Sequence, residues 1–244
     1  MEIEAENYPI AVMGAGTMGR GIAQAAASAG HPVMLYDVAE KHTQDAIEYI
    51  GQRLEESLQK GKITENSKVQ ILNNIKPVYV LDELFQAKLI IEAVIEDLKI
   101  KQELFCRLES VLEADSILST NTSSLDLNKI GTNLKRPERF VGMHFFNPVP
   151  VMALVEIIHT AETDPSVTEF VFQLAKKWGK VPVHVRNSPG FIVNRAARPF
   201  YLEALRIIKD GATDAATCDA IFRDCGGFRM GPFELMDLIG LDVN

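Results

Sequence analysis

Short apolar runs alternate with longer amphipathic segments along most of the chain. The runs Ile10–Met13 and Val33–Tyr36 have the length of buried strands, and the segment between them carries apolar residues at helical spacing. Further strands are predicted near Val78 and at 89–94, 117–120 and 181–185. Because strands separated by helices form parallel sheets, we predict an α/β fold with a Rossmann-like, mostly parallel sheet.

Two helical patterns in succession interrupt this alternation between residues 40 and 75. One apolar stripe runs through Ile47, Ile50, Leu54 and Leu58, and a second follows Thr64 through Val69, Leu72 and Ile75. The turn Lys60-Gly61-Lys62 separates them, so we predict a helical hairpin inserted into the sheet pattern. Lys60 and Lys62 are most simply an exposed tip, and the alternative is that they contact a phosphate.

The character of the chain changes after the turn cluster Asn187-Ser188-Pro189-Gly190. Only helical patterns follow, at 191–209, 214–223 and 232–239. We therefore predict an α/β domain over residues 1–187 and a smaller, incomplete helical domain over residues 188–244. The last segment has too few apolar positions to close a core of its own, so we expect a fragment or one side of an oligomer.

A glycine-rich loop follows the first predicted strand and precedes a helix. Its residues are Gly14, Gly16, Thr17, Met18 and Gly19. In this spacing the first glycine permits a tight turn, the second lets the backbone approach a pyrophosphate, and the third allows close helix packing. Asp37 closes the next strand, where a carboxylate accepts hydrogen bonds from ribose hydroxyls and repels a 2′-phosphate. We predict a dinucleotide site that prefers NAD to NADP, the alternative being that Asp37 only caps a helix.

Polar side chains follow two later strands. Ligands of open α/β sheets bind beyond the carboxyl ends of the strands, which selects Glu96 after one strand and the segment Asn121-Thr122-Ser123-Ser124 after another. The alternative for Ser123 and Ser124 is that they cap the helix predicted to begin near Asp126.

A histidine and a glutamate are embedded in two apolar runs on either side of Pro150. If the runs pair as antiparallel strands around Pro150, residues whose numbers sum to about 300 face each other, and His144 lies opposite Glu156. A carboxylate beside an imidazole fixes its tautomer and stabilises the imidazolium, which suits a general base. The alternatives are a core histidine bound to a backbone carbonyl and a glutamate facing water. Apolar neighbours favour the pair, because a carboxylate among them needs a specific partner.

The amino-acid composition excludes few functional classes, but the net charge narrows the choice of binding partners. The chain has 244 residues, 47% of them hydrophobic, and a formal net charge of −8 at pH 7. A globular protein of this charge is not expected to bind nucleic acid or an acidic membrane surface as its main partner, although a local basic pocket is compatible with it.

The cysteines and the first residues of the chain indicate where the protein is located and whether it binds a metal. Three cysteines without Cys-x-x-Cys spacing favour reduced, structural thiols over a disulfide framework or a zinc site, so no metal is predicted. The first residues are acidic and lack the basic and apolar regions of a signal peptide, and no uncharged apolar stretch reaches membrane-spanning length. We expect a cytoplasmic protein.

Several sequence motifs link these separate features. They are the glycine loop at 14–19, the segments at 92–98, 120–125, 144–150 and 154–156, and the later segments at 189–195 and 230–235. Together they resemble the 3-hydroxyacyl-CoA dehydrogenase family, from about Ile10 to the last residue. The serine-rich and histidine motifs are specific, whereas the glycine loop is shared by many enzymes.

The resemblance implies roles for individual residues. His144 matches the catalytic base and Glu156 the carboxylate that orients it. Ser123 and Asn194 match the residues that hold the substrate oxygen, and the helical hairpin with Lys60 and Lys62 matches one that contacts coenzyme A. On the cofactor side, the resemblance adds Glu96, Lys101 and Asn121 to the glycine loop and Asp37.

The resemblance also implies a reaction and a partner. An enzyme of this family, which serves β-oxidation, transfers hydride between C3 of an L-3-hydroxyacyl-CoA and NAD to give the 3-ketoacyl-CoA, and a homodimer is expected. The segment at 226–240 and the ending Asp242-Val243-Asn244 look most like the long bacterial members of phenylacetate degradation, which act on 3-hydroxyadipyl-CoA. Arg198 and Arg229 are candidates for a second carboxylate, although exposed arginines usually face solvent.

Two alternatives to this function remain at the level of sequence. One is a non-catalytic NAD-binding relative of the same fold, which the predicted His144–Glu156 pair disfavours. The other is a dehydrogenase of a hydroxy acid that is not a thioester, for which an arginine near His144 would be expected to clamp the carboxylate. No such arginine stands out in the motif.

Overall fold

A single eight-stranded sheet organises most of the molecule. The computed structural model describes residues 8–240, so the acidic first residues and the ending at 242–244 lie outside the described residues. The strands are β1 Ile10–Met13, β2 Val33–Tyr36, β3 Ile75–Val78, β4 Leu89–Glu92, β5 Ile117–Thr120, β6 Phe140–Phe145, β7 Leu154–His159 and β8 Val181–Arg186. They lie in the order β3-β2-β1-β4-β5-β6-β7-β8. Six of them form the 3-2-1-4-5-6 arrangement of a doubly wound nucleotide-binding sheet.

Helices connect the strands and form the C-terminal part of the described chain. They are α1 Thr17–Ser28, α2 Glu40–Gln59, α3 Glu65–Asn73, α4 Leu98–Val111, α5 Leu127–Ile130, α6 Pro165–Lys177, α7 Val193–Lys209, α8 Ala215–Asp224 and α9 Pro232–Ile239. Two short 3₁₀ helices at Leu81–Leu84 and Pro137–Arg139 were not predicted from the sequence. The predicted α/β fold with a mostly parallel sheet is confirmed.

The predicted helical hairpin is present, but the predicted end of its second helix is wrong. The helices α2 and α3 flank the turn at Lys60, and Thr64 begins the second helix because its Oγ1 accepts the N–H of Ser67 at 3.1 Å. The predicted stripe ran on to Ile75, but α3 ends at Asn73. Ile75 instead begins β3 and pairs with Val33, because a buried apolar residue satisfies either pattern.

The strand predicted at 89–94 is also shorter than expected, for a reason that bears on the site. The ladder of β4 ends at Glu92. Ala93 still donates its N–H to the carbonyl oxygen of Met13 in β1, but the N–H of Val94 donates to the carboxylate of Glu92 at 2.8 Å. The side chain of Glu92 therefore supplies the acceptor that a neighbouring strand would otherwise provide.

The antiparallel pairing predicted around Pro150 is present in the expected register. Strand β6 runs parallel to β5, whereas β7 runs antiparallel to β6. His144 pairs directly with Glu156. Because β1, β2, β4, β5 and β6 all run in one direction, their carboxyl ends meet at one edge of the sheet, which we call the carboxyl edge.

The core lies between the sheet and the helices α1, α2 and α6. It includes strand residues such as Ile10, Val12 and Leu35, which are fully buried, and helix residues such as Ile22 and Leu174. Strands buried on both faces are expected for a parallel sheet covered by helices. This packing makes the carboxyl edge a rigid support for the loops that follow the strands.

The described chain divides into two compact units. The first ends at Pro189 and the second begins at Gly190. In the second unit, α7, α8 and α9 pack around an aromatic group of Phe200, Phe222 and Phe228. Among residues 8–240, no helix is both long and apolar enough to cross a membrane.

Candidate active site

The glycine loop turns sharply between β1 and α1. Gly14 has φ of +99°, and a Cβ placed there would lie 2.5 Å from the carbonyl oxygen of Ala93. A Cβ at Gly19 would lie 1.7 Å from the carbonyl oxygen of Gly14, whereas one at Gly16 would meet no atom within 4 Å. The first and third glycines thus allow backbone to approach backbone, and Gly16 leaves open space at the N-terminus of α1. Thr17, Met18 and Gly19 form the first turn of that helix.

Asp37 ties the end of β2 to this loop. Its Oδ2 accepts the N–H of Ala15 at 2.8 Å, and its Oδ1 accepts the N–H of Ala39 at 3.1 Å and lies 3.0 Å from Nδ1 of His42. Burial acts to raise the pKa of Asp37, but these hydrogen bonds outweigh it and hold the pKa below its usual value. Asp37 therefore stays ionised. It contacts Ala39 and His42 at the start of α2, but the N-cap of that helix is Ala39 and has no side-chain cap hydrogen bond, so the capping alternative is wrong.

A cavity of about 680 Å³ opens beside the loop and Asp37. Its lining includes Gly14, Gly16 and Asp37, together with Val94 and Ile95 after β4. Its size and mixed apolar and polar lining suit a ligand of nucleotide dimensions. A pyrophosphate beside Gly16 would meet the positive end of α1, and a ribose beside Asp37 would meet an anionic acceptor. These residues fit a dinucleotide without a 2′-phosphate.

His144 and Glu156 form a buried pair. Nδ1 of His144 lies 2.7 Å from Oε2 of Glu156, the histidine being 6% exposed and the glutamate 0%. An ionised carboxylate can only accept, so Nδ1 carries the proton and Nε2 is the proton acceptor of the neutral ring. His144 pairs with Glu156 across β6 and β7, and Glu156 also pairs with Val183 of β8, which limits the motion of the imidazole.

The turn between these two strands is held by a lysine that the sequence did not single out. Lys180 donates from Nζ to the carbonyl oxygens of Val149 and Met152, at 2.5 Å and 2.9 Å. Burial lowers the pKa of Lys180. The lysine directly precedes β8, and no pattern around it in the sequence distinguishes it from a surface lysine.

The loop after β5 is fastened to β6 and to the segment that follows β4. Oδ1 of Asn121 accepts the N–H of Phe145 at 2.8 Å, which joins this loop to the residue after His144. The backbone N–H groups of Ser123 and Ser124 donate to Oε1 of Glu96 at 3.0 Å and 3.2 Å. The alternative that these serines cap α5 is wrong, because Asp126 caps it by accepting the N–H of Asn128.

Glu96, whose side chain is 37% exposed, joins a network with two buried charged side chains. Its Oε1 also accepts the hydroxyl of Thr122, and its Oε2 lies 3.2 Å from Nζ of Lys101. Burial acts to raise the pKa of Glu96, but the hydroxyl and the lysine charge hold it below its usual value. Lys101 is 1% exposed and also donates to Glu92, which is 0% exposed. Sequence analysis included Glu92 only within the strand at 89–94 and as the first residue of the motif at 92–98, and assigned it no role.

The remaining predicted residues belong to other elements of the described chain. Lys60 and Lys62 are exposed at the tip of the helical hairpin. Asn194 lies in the first turn of α7 in the second unit, which also carries the exposed Arg198 and Arg229. Within residues 8–240, no cluster of histidine, cysteine, aspartate or glutamate could hold a metal ion.

Comparisons with known proteins match both units. Residues 9–188 match the model of the 3-hydroxyacyl-CoA dehydrogenase NAD binding domain, and residues 190–244 match that of the 3-hydroxyacyl-CoA dehydrogenase C-terminal domain. The cofactor of the first unit is therefore NAD, in agreement with the fit of the glycine loop and Asp37.

Individual relatives agree with these matches. The chain is 46% identical to 3-hydroxyadipyl-CoA dehydrogenase of Escherichia coli (strain K12) over 96% of its length, but it spans only 50% of that relative. It is 42% identical to 3-hydroxybutyryl-CoA dehydrogenase of Clostridioides difficile, covering 96% of this chain and 83% of the relative. A crystal structure of 3-hydroxybutyryl-CoA dehydrogenase from Escherichia coli K12 superposes with a TM-score of 0.95 at 45% identity, covering 97% of this chain and 50% of that one. The chain belongs to the 3-hydroxyacyl-CoA dehydrogenase family.

Proposed function

We propose that the protein is an NAD-dependent dehydrogenase that interconverts an L-3-hydroxyacyl-CoA and the 3-ketoacyl-CoA. The observation that carries this proposal is the buried His144–Glu156 pair at the carboxyl edge of a sheet that also bears a dinucleotide cavity. NAD, when bound, supplies the hydride acceptor. The chain's own residues must then remove one proton from the substrate hydroxyl and exclude water from the reacting carbon.

His144 is the proposed base. Its Nε2 takes the proton of the C3 hydroxyl as the carbonyl forms, and Glu156 stabilises the imidazolium through Nδ1. In the reverse direction, the imidazolium returns the proton to the oxygen. Burial of both residues makes the attraction between carboxylate and imidazolium stronger than it would be in water.

Ser123 and Asn194 are proposed to hold the substrate oxygen. The loop that carries Ser123 is anchored by the side chain of Asn121 and by Glu96, so its hydroxyl has a rigid base. A well-placed donor to a developing carbonyl contributes about 3 kcal/mol of transition-state stabilisation. Lys60 and Lys62 are proposed to meet the phosphates of coenzyme A, since both are cationic and exposed.

The identity of the acyl group is a separate proposal. The relatives named above act on hydroxyadipyl-CoA and hydroxybutyryl-CoA. We infer that a 3-hydroxyadipyl thioester is the substrate, with Arg198 or Arg229 as candidate contacts for its second carboxylate, and that the protein acts as a homodimer. Light scattering of the purified protein tests the dimer.

A substrate panel tests the activity. The protein is incubated with NAD and with 3-hydroxybutyryl-CoA, 3-hydroxyadipyl-CoA or free 3-hydroxybutyrate, and formation of NADH is followed by absorbance. Turnover of the thioesters but not of the free acid is expected. Turnover of the free acid alone would favour a hydroxy-acid dehydrogenase. NADH binding without turnover of any substrate would favour a non-catalytic relative.

Replacing Glu156 by Gln is expected to lower kcat by roughly 10- to 100-fold. The substitution keeps the shape of the side chain but removes the charge that stabilises the imidazolium, and a hydrogen bond to a charged group is worth about 1.5–3 kcal/mol. NADH affinity is expected to stay within about twofold, since Glu156 does not line the cavity. Steady-state kinetics and NADH fluorescence check both parts, and an unchanged kcat would contradict the role of Glu156.

Replacing Asp37 by Asn is expected to change the choice between NADH and NADPH. The charge that repels a 2′-phosphate is lost, so the ratio of the two dissociation constants should shift toward NADPH by about tenfold. Fluorescence titration with each nucleotide measures this ratio. Asp82→Asn, the same change at an exposed site outside the cavity lining, is the control and should leave the ratio unchanged.

A further inference from the structure

Glu92 is an unusual residue for the end of a buried strand. It closes β4 at the centre of the sheet, with Met13 of β1 on one side and Thr120 of β5 on the other. Its side chain is fully buried. Burial raises the pKa of Glu92, and the ammonium group of Lys101 and the hydrogen bonds around the side chain oppose that shift and favour the carboxylate.

Three donors hold the carboxylate of Glu92. Oε1 accepts from Nζ of Lys101 at 2.5 Å and from the N–H of Val94 at 2.8 Å. Oε2 accepts from the hydroxyl of Thr120 at 2.6 Å. The donors come from β5, α4 and the chain just beyond β4, so Glu92 is fixed in position by three separate parts of the first unit.

Lys101 links Glu92 to Glu96, which in turn holds the loop after β5. Its Nζ, buried with the rest of the side chain, lies between Glu92 and Oε2 of Glu96. The other oxygen of Glu96 accepts the N–H groups of Ser123 and Ser124. One ammonium group thus divides its attraction between two carboxylates, and the second of these holds the backbone of the serine loop.

We propose that Glu92 is a positioning residue that sets the place of the Ser123 loop through Lys101 and Glu96. With Glu92 present, the ammonium group of Lys101 is held at the end of β4. Oε1 of Glu96 then remains available to the N–H groups of the serine loop. Without the charge of Glu92, Lys101 has Glu96 as its one carboxylate partner among residues 8–240, and the closer pair competes with the N–H groups of the serines. The catalytic consequence rests on the proposed function, because it assumes that Ser123 contacts the substrate oxygen.

The primary test measures the loop directly and does not depend on turnover. Hydrogen exchange of backbone amides is recorded for the wild type and for Glu92→Gln. The amides of Ser123 and Ser124 are expected to exchange at least about tenfold faster in the variant. Those of Ala15 and Ala39, which donate to Asp37, are expected to be unchanged. Equal protection of the serine amides in both proteins would overturn the proposal, as would a uniform loss of protection throughout the unit.

A second pair of variants controls for folding and for charge. Glu92→Asp keeps the charge one methylene farther from Lys101 and should give a smaller increase in exchange, about two- to threefold, which decides the matter if Glu92→Gln does not fold. Glu48→Gln, at an exposed glutamate of α2, removes the same charge elsewhere and should have no effect on the serine amides.

Kinetics separate this proposal from the proposed function. Glu92→Gln is expected to reduce kcat/KM for the thioester about tenfold while the dissociation constant of NADH changes by less than about twofold. An equal loss in kcat/KM and in NADH affinity would mean that Glu92 acts on cofactor binding, and would overturn the proposal. A wild type without turnover on any 3-hydroxyacyl-CoA would overturn the proposed function alone, because the exchange experiment would still decide the role of Glu92.

Discussion

Replacement of His144 by Gln is expected to lower kcat for the 3-hydroxyacyl-CoA by about a thousandfold, because general-base catalysis by a positioned side chain contributes roughly 10²- to 10⁴-fold. Glutamine has a similar length and retains a donor toward Glu156, but its amide takes up no proton near neutral pH. NADH affinity should remain that of the wild type, since His144 does not line the dinucleotide cavity. Steady-state kinetics combined with fluorescence titration measures both quantities.

A second histidine provides the matched control for this experiment. His184 lies on β8, stacks on Phe172 and is 3.8 Å from Glu169, so it also has an aromatic neighbour and a carboxylate. Its side chain is 44% exposed, in contrast to the buried His144. His184→Gln should retain full activity. Turnover by His144→Gln within about tenfold of the wild type would remove His144 as the base.

Replacement of Gly19 by Ala is expected to cost at least about 3 kcal/mol of unfolding free energy and to abolish NADH binding, because a methyl group there would overlap the carbonyl of Gly14. A Cβ at Gly19 would lie 1.7 Å from that oxygen, so α1 or the loop must move. Urea denaturation and fluorescence titration are the measurements. Binding is lost because the N–H groups at the N-terminus of α1, which would hold the pyrophosphate, are displaced.

Gly16→Ala separates the two functions of the loop. A Cβ at Gly16 meets no atom within 4 Å, so unfolding free energy should fall by no more than about 1 kcal/mol, the cost of a poorer residue at a helix N-cap. NADH affinity should nevertheless fall about tenfold, because the methyl group occupies the space through which a pyrophosphate approaches the backbone.

A Gly19→Ala protein as stable as the wild type would show that the close approach of Gly14 and Gly19 is absent from the folded chain.

Local patterns predicted most of the α/β unit. The apolar runs at Ile10–Met13, Val33–Tyr36 and Ile117–Thr120 form strands with the predicted bounds. Each run is short and apolar and is followed by a turn or polar segment, so the signal lies within a few neighbouring residues. Errors occurred where one residue satisfies two patterns, as at Ile75, and where a side chain ends a strand, as at Glu92.

The pairing of His144 with Glu156 was also predictable from sequence, although the two residues are twelve positions apart. Two apolar runs around a proline turn specify an antiparallel register, and the side-chain period of two residues then decides which residues face each other. The chemistry of the pair followed from that register. The separation is short enough for local geometry to determine the contact.

The sequence by itself determined the strands, the glycine loop and the register that brings His144 to Glu156, because each depends on residues close along the chain. Only the tertiary structure decided that Lys101 lies between Glu92 and Glu96, that Glu96 holds the serine loop 27 positions away, and that Lys180 fastens the turn at Val149 from 31 positions away. These contacts join side chains from different elements, and their distances are set by how helices and loops pack on the sheet. Packing of that kind depends on the whole core, and no short pattern in the sequence specifies it.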